Sequence, residues 1–356
     1  MIDFFIKVKQ QEAQHLPFVI YKKPNKKKLV GFFQNNDHLY FAENFKERGF
    51  VFAPFEGCQM ILIPKEESVK WETRIVLSKE SEELELGEYS SNENTIGKAH
   101  FESLVQKGID AIIKGDFNKV VLSREEIVSV PEFDLVTVFK KLIENYSEAF
   151  CYCWYHPKIG LWMGATPERL LKANRKQFYT MALAGTKIGD NAENAVWNAK
   201  EMEEQQIVTD FILENLKNKT SEIAISSPYT LQAGKLLHII TDIEGVIDEN
   251  SNLGEVVAVL HPTPAVCGLP KNVAKEFILA NEDYDRSYYT GFLGELNIKE
   301  FDKHQTRSDF YVNLRCMQIK DKEAHLYMGC GITKDSIPVN EWKESVNKSL
   351  TMKRVL

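Results

Sequence analysis

Short apolar or aromatic runs punctuate the first sixty residues. Phe18-Val19-Ile20-Tyr21, Leu29-Val30-Gly31-Phe32-Phe33, His38-Leu39-Tyr40-Phe41 and Met60-Ile61-Leu62-Ile63 are separated by Asn, Lys and Pro. Runs of this length between turn-forming residues predict strands joined in hairpins. From Ser78 to Asn94 the chain turns to Glu, Ser and Asn, which predicts an exposed connection between an N-terminal lobe and the rest. The period then changes. Phe101, Val105, Ile109 and Ile112 recur at helical spacing, predicting a helix from about Ile96 to Lys114 with Gly115 as its C-cap.

Asn118 to Arg124 follows as a strand by its β-branched content, and further strands are predicted at Phe150 to Trp154, Gly160 to Met163, Phe178 to Leu183, Leu236 to Glu244, Phe310 to Ile319 and His325 to Met328. Helical patterns cover about Asn194 to Leu216, Asn272 to Glu282 and Val339 to Met352. Strands arrive in runs with helices between them and without regular βαβ alternation. That order predicts an α+β protein with large antiparallel sheets rather than a doubly wound fold.

Composition narrows the function classes. The 356 residues carry 44 Lys+Arg against 51 Asp+Glu, a net charge of −7, and the one dense basic stretch is KKPNKKK at 22–28. A nucleic-acid partner is not expected, because phosphate neutralisation needs a basic face. Apolar residues at 44% and charged residues at 27% are those of a globular chain. No apolar stretch approaches the ~20 residues of a membrane span, and the first residues lack the basic-then-apolar order of an export signal, so a cytoplasmic location is expected. Six cysteines form no CxxC pair and are expected as buried thiols; Cys151 and Cys153 alternate as on one strand face. The eight histidines form neither HExxH nor HxH, so any metal ligands should be carboxylates.

Two predicted helices present such carboxylates. Glu204 is in register with Val208, Phe211 and Ile212, so it points where the core should be, and Glu201 lies one turn earlier. Glu341, Glu344 and Lys348 fall at spacings of three and seven beside Trp342 and Val346. If the two faces meet, up to four carboxylates describe a Mg²⁺ site; the alternative is a pair of solvated glutamate faces. Lys119, in an otherwise apolar strand, is either a lysine snorkelling to the rim or a general base with weakened proton affinity. Glu168, after Trp162-Met163-Gly164-Ala165-Thr166-Pro167, is either an exposed turn carboxylate or the matching acid. Glycines at the strand ends Ala184-Gly185-Thr186 and Gly329-Cys330-Gly331 offer N–H groups to an anion, as ordinary turns also do. Arg315, read as a cation within a strand, is a carboxylate clamp or a structural salt-bridge partner.

Read in order, these segments resemble the chorismate-binding enzyme family. The resemblance rests on KVVLSR (119–124), GATPERLL (164–171), LAGT (183–186), AKEMEEQ (199–205), LHIITDIEG (237–245), LHPTPAVCGLPK (260–271), YDRSYYTGFLGE (284–295), LRC (314–316), and GCGI followed by DS, EWKES and K (329–348). It covers about residues 96–355, as a catalytic unit over 96–356. Residues 1–95 are similar only to the family's variable N-terminal part of the same globule. The resemblance implies two large antiparallel sheets packed face to face with helices outside, a chorismate substrate and a Mg²⁺ cofactor. Carried over, Glu204 and Glu344 resemble the Mg²⁺ ligands, with Glu201 and Glu341 as water-bridged carboxylates behind them. Arg315, Tyr289 and the backbone of Gly329 resemble the site of the enolpyruvyl carboxylate, Lys348 and the backbone of Gly185 and Thr186 complete an anion cradle, and His238 lines the ring pocket.

Within the family, Ala184 stands where amine-transferring members carry a lysine, and Ala265 stands where anthranilate and salicylate synthases carry a threonine. The LHPTPAV form is similar to that of isochorismate synthases, with Lys119 as the base that activates water and Glu168 as the acid. The resemblance therefore implies a reversible conversion of chorismate to isochorismate, feeding menaquinone or siderophore synthesis. Salicylate synthase is the alternative, followed by the ammonia-using anthranilate synthase component I. No glutaminase subunit is expected, and a monomer is. Gln205 replaces the commoner His after the metal-binding Glu, and Cys330 replaces a small residue.

Overall fold

The computed structural model describes residues 1–57, 59–75, 95–189, 191–233, 236–299 and 306–356. Its strands form two antiparallel sheets. In the first, the order is Gly268–Leu269, Lys119–Ser129, Glu323–Ile332, Cys316–Lys320, Gly160–Thr166, Phe150–His156, Phe18–Lys22, Lys28–Gln34 and Ser68–Arg74. In the second it is Thr220–Ile225, Leu236–Ile247, Gln177–Ile188, Arg169–Asn174, Thr306–Val312, Phe292–Lys299, Gly49–Ala53, Met60–Pro64 and Tyr40–Ala42, with Tyr229–Ala233 also pairing Leu236–Ile247.

The side-chain period of two decides how these sheets stack. From Phe18–Lys22, Val19 and Tyr21 join Phe50, Phe52, Ile61, Trp154 and Trp162 in an aromatic core between the sheets. Phe18 and Ile20 point the other way, onto a second cluster with Phe4, Val8, Phe139 and Leu142 of the helices Ile2–Ala13 and Leu135–Asn145. Central strands buried on both faces read as continuous apolar runs, which is why they were legible. Over the second sheet lie Ala199–Leu216 and Leu253–Leu260, and over the 119–129 end of the first lie Thr95–Lys114, Lys271–Asn281 and Pro338–Lys353. The architecture is four-layered, helices outside and two sheets within, as the α+β expectation required. Among the described residues no helix is long and apolar enough to cross a membrane.

Two expectations need correction. The N-terminal strands are not a separate lobe: Phe18–Lys22 pairs Phe150–His156 in one sheet and Gly49–Ala53 pairs Phe292–Lys299 in the other, so residues 18–64 build both sheets. The connection predicted at 78–94 lies outside the described residues. The single strand predicted from Phe310 to Ile319 is two, Thr306–Val312 in the second sheet and Cys316–Lys320 in the first, so Arg315 sits in the crossing between them with φ 48° rather than within a strand. Cys151 and Cys153 do share a face, against helix Leu135–Asn145, and the five described cysteines are free and buried.

Candidate active site

Two crossings between the sheets make the floor of a cavity of about 230 Å³. At one, strand Gly160–Thr166 of the first sheet ends, Pro167 and Glu168 follow, and Arg169–Asn174 enters the second. At the other, Asn313-Leu314-Arg315 returns the chain to the first sheet. The two are bonded to each other: Thr166 Oγ1 donates to Val312 O (2.7 Å), Val312 N donates to Glu168 O (3.0 Å), and Ala165 N donates to Arg315 O (3.0 Å). Leaving one ladder and joining another forces Glu168 and Arg315 out of strand register and turns their side chains into the same space.

Lys119 opens strand Lys119–Ser129 and is only 4% exposed. Among the described residues no carboxylate lies within ion-pair distance of its Nζ. Burial lowers its pKa below the usual lysine range, against the pull of Glu204 and Glu168. Glu168, also 4% exposed, is raised by burial to about 7, with Lys119 pulling the other way. The neighbouring strand Glu323–Ile332 makes room for the lysine. Gly331 pairs with Val121, and a Cβ built there would lie 3.2 Å from Lys119 Cε. Gly329 faces the cavity too, where a Cβ would come within 2.9 Å of Tyr289 Oη. Cys330 points oppositely, into the helix-side cluster, and donates to Glu341 O (3.3 Å).

Four carboxylates close the other end. Helix Ala199–Leu216 brings Glu201 and Glu204, and helix Pro338–Lys353 brings Glu341 and Glu344. Glu201 also completes a capping box, accepting from Asn198 N (2.8 Å), which leaves its second oxygen for other partners. Among the described residues, Glu341, Glu344 and the Cys330 thiol bring one ligand atom each within 4.8 Å of the others. A set dominated by carboxylate oxygens suits a hard divalent cation, so these residues fit Mg²⁺. Lys348 Nζ donates to Gly329 O (2.7 Å) and pairs with Glu344 (2.6 Å). Burial lowers its pKa and Glu344 more than offsets this, so the ammonium persists. Strand Gln177–Ile188 breaks register between Ala184 and Lys187, and the bulge turns Gly185 to φ 71°. Its carbonyl meets His238 Nδ1 at 3.1 Å, and burial lowers that imidazole to about 4, so it is neutral.

Every site residue predicted from the sequence lines this cavity except Thr186, of which only the backbone, within the strand, is described: Lys119, Glu168, Gly185, His238, Ala265, Tyr289, Arg315, Gly329, Lys348, Glu201, Glu204, Glu341 and Glu344 are all present. The walls that prediction missed include Val121, Thr290, Leu314, Tyr327, Met328 and Gly331. Gly331 and Tyr327 follow from Gly329 by the alternation of a strand, which was signal enough; Thr290 and Leu314 stand in turns that no period marks.

The family model described as chorismate binding enzyme matches residues 62–356, and the chain belongs to that family. Among curated relatives it is 26% identical over 323 residues to isochorismate synthase DhbC of Bacillus subtilis (85% of this chain, 79% of that protein). It is 29% identical over 277 residues to isochorismate synthase MenF of Escherichia coli (73% of this chain, 60% of that protein). The solved structure of the menaquinone-specific MenF of Escherichia coli superposes with a TM-score of 0.79 at 20% identity, covering 96% of this chain and 88% of that one. Anthranilate synthase component I of Streptococcus pneumoniae superposes at 0.67 with 16% identity, covering 94% and 89%. At these identities the superpositions establish the shared fold.

Proposed function

We propose that this protein is an isochorismate synthase, converting chorismate reversibly to isochorismate. The observation that carries the reading is the pairing, in one cavity, of a buried lysine with lowered pKa and a buried glutamic acid at about 7. That places a base with a weakened hold on its proton beside an acid that keeps its own to near neutrality. Curated relatives named isochorismate synthase support the choice of reaction.

Lys119 takes a proton from water as the water oxygen bonds to C2 of the ring. The ring double bond shifts, the C4–O bond breaks, and Glu168 delivers its proton to the departing hydroxyl as water. Among the described residues neither is closed in an ion pair, so both are available. Arg315, Tyr289 Oη and the N–H of Gly329 bind the enolpyruvyl carboxylate; Lys348 and the backbone at Gly185 and Thr186 add to the anion cradle; His238 and Ala265 shape the ring wall. Held by Glu204 and Glu344, with Glu201 and Glu341 behind them, Mg²⁺ would neutralise and orient the ring carboxylate. Each of the two proton transfers is worth roughly 10²–10⁴-fold, the rest coming from orientation.

Incubation with chorismate and Mg²⁺, followed by chromatography, tests the reading. Isochorismate is expected, suppressed by EDTA and formed without a glutaminase chain. Fluorescent salicylate as the product would replace it with the salicylate synthase reading, and anthranilate appearing with ammonium salts would replace it with the third.

A further inference from the structure

Behind the cavity wall lies a guanidinium that the reaction does not use. Arg286 is 3% exposed, and all five of its N–H donors are engaged. Nε donates to Glu282 Oε2 (2.7 Å), Nη2 to Glu282 Oε1 (2.6 Å) and Val121 O (2.7 Å), and Nη1 to Val266 O (3.0 Å) and Thr290 Oγ1 (3.3 Å). Both side chains of the Arg286–Glu282 pair are 2% exposed, and the Phe55 ring covers the guanidinium at 4.7 Å. Glu282 Oε1 also accepts from Ser123 N (2.7 Å) and Ser123 Oγ (2.8 Å).

The three outer acceptors each belong to a different wall. Val121 is two residues along the strand from Lys119, Val266 follows Ala265, and Thr290 follows Tyr289; all six line the cavity. Thr290 is itself unusual. It is β-branched yet holds φ 59°, a strained conformation that persists only where its surroundings impose it. Its N–H donates to Asn313 O (2.9 Å) and its hydroxyl meets Arg286, so the strained turn is tied both to the Arg315 crossing and to the guanidinium. A buried ion pair is weak evidence of stabilisation, since apolar residues of similar volume often serve as well. What it supplies here is a fixed, planar fork with five directions, which lysine cannot reproduce.

We propose that Arg286, braced by Glu282, is a positioning residue that sets the distance from the strand carrying Lys119 to the Ala265 and Tyr289 walls. It touches no substrate group and acts by keeping the base at reaction distance from the ring. The inference rests on the chorismate reading of the cavity.

The test compares wild type, Arg286→Lys, Arg286→Ala and Glu282→Gln with chorismate and Mg²⁺, alongside near-UV circular dichroism and urea unfolding. A misplacement near 1 Å costs on the order of 10²-fold in rate, so Arg286→Lys should lose about 30- to 100-fold in kcat with KM within about threefold and a native spectrum. Glu282→Gln keeps the guanidinium but weakens its brace, and should lose about tenfold in kcat. Guanidinium ion at non-denaturing concentration should restore part of the kcat of Arg286→Ala and none of that of Arg286→Lys, a rescue that a merely structural role would not produce. A folded Arg286→Lys with kcat within twofold of wild type overturns the proposal, as does an activity loss that only tracks the unfolded fraction. If neither arginine variant folds, a folded, fully active Glu282→Gln overturns it, and a folded Glu282→Gln with lowered kcat at unchanged KM supports it. Wild-type protein that leaves chorismate unchanged overturns the functional reading and this inference with it; active wild type with fully active variants overturns the inference alone.

Discussion

Lys119 and Glu168 face one cavity, and the proposed mechanism has them hold one mobile proton between them in the competent state. The acid limb of a pH profile is then the gain of a second proton by the pair, and the alkaline limb the loss of the first; both belong to the pair rather than to either residue. Glu168 at about 7 places one of the two steps near neutrality, so kcat/KM should change across about pH 6–8, and a profile flat from pH 5 to 9 would refute the assignment. The same burial has a cost in stability. A carboxyl whose folded pKa exceeds its unfolded value contributes most below the unfolded value and loses that contribution as pH rises through the folded one. Raising Glu168 from 4.5 to about 7 therefore costs the folded state on the order of 3 kcal/mol at alkaline pH. Glu168→Gln should abolish turnover yet resist urea better than wild type at pH 9, with the gain vanishing as pH falls from 7 toward 4.5. Gly331 makes a separate prediction. An alanine Cβ 3.2 Å from Lys119 Cε must push the lysine aside, so Gly331→Ala should lower kcat by roughly tenfold or more with little change in unfolding midpoint. Lys119 and Glu204 were legible as cavity residues because each is a charge placed where spacing expects an apolar residue, whereas Glu168 was marked only by the turn it follows. Arg315 was legible as a candidate site cation but misplaced in a strand, since the apolar run around it conceals that the chain changes sheets there.

At the level of elements, legibility followed burial. Strands covered on both faces declared themselves as apolar runs, whereas Thr220–Ile225, exposed along nearly its whole length, gave no pattern to read. Helix Ile2–Ala13 buries only Phe4, Phe5, Val8 and Gln11, too narrow a stripe to stand out. Helix Leu135–Asn145 is different. Asp134 caps it through Thr137 N, and its six buried apolar residues recur at helical spacing, so the signal was present in the sequence and falls outside the elements predicted above. The helix predicted from Asn194 begins at Ala199, because Asn198 and Glu201 close the capping box that fixes its first turn. That turn carries Glu201 into the cavity and the next carries Glu204, which couples a helix cap to the proposed cation site. Asn198→Ala should cost about 1 kcal/mol of helix stability. It should also raise the Mg²⁺ concentration for half-maximal activity several-fold while leaving kcat at saturating Mg²⁺ nearly unchanged. A cap removal that left the Mg²⁺ dependence unmoved would separate the cap from the site.

The whole molecule is one sandwich, and the N-terminal residues stand inside it rather than beside it. Val19 and Tyr21 from the first sheet, with Phe50, Phe52, Ile61 and Ile63 from the second, are at most 1% exposed and fill the space between the sheets. Sequence resemblance alone divides the chain near residue 95, because the motifs that carry chemistry all lie beyond it; packing carries no such boundary. Strand Phe18–Lys22 covers the edge of Phe150–His156, and Gly49–Ala53 covers the edge of Phe292–Lys299. Removing them would uncover both edges and strip the aromatic layer that backs Tyr289 and Tyr327 in the cavity wall. Uncovered edges and an exposed apolar face favour aggregation over the native fold. A chain of residues 95–356 should therefore lack a cooperative thermal transition and bind an apolar dye, although it holds every residue assigned to the reaction. The full chain should unfold in one urea transition that near-UV circular dichroism and tryptophan fluorescence report together, since Trp154 and Trp162 sit in the layer that both halves of the chain build. A truncated chain that melts cooperatively and turns over chorismate would show that the N-terminal strands decorate a self-sufficient catalytic unit instead.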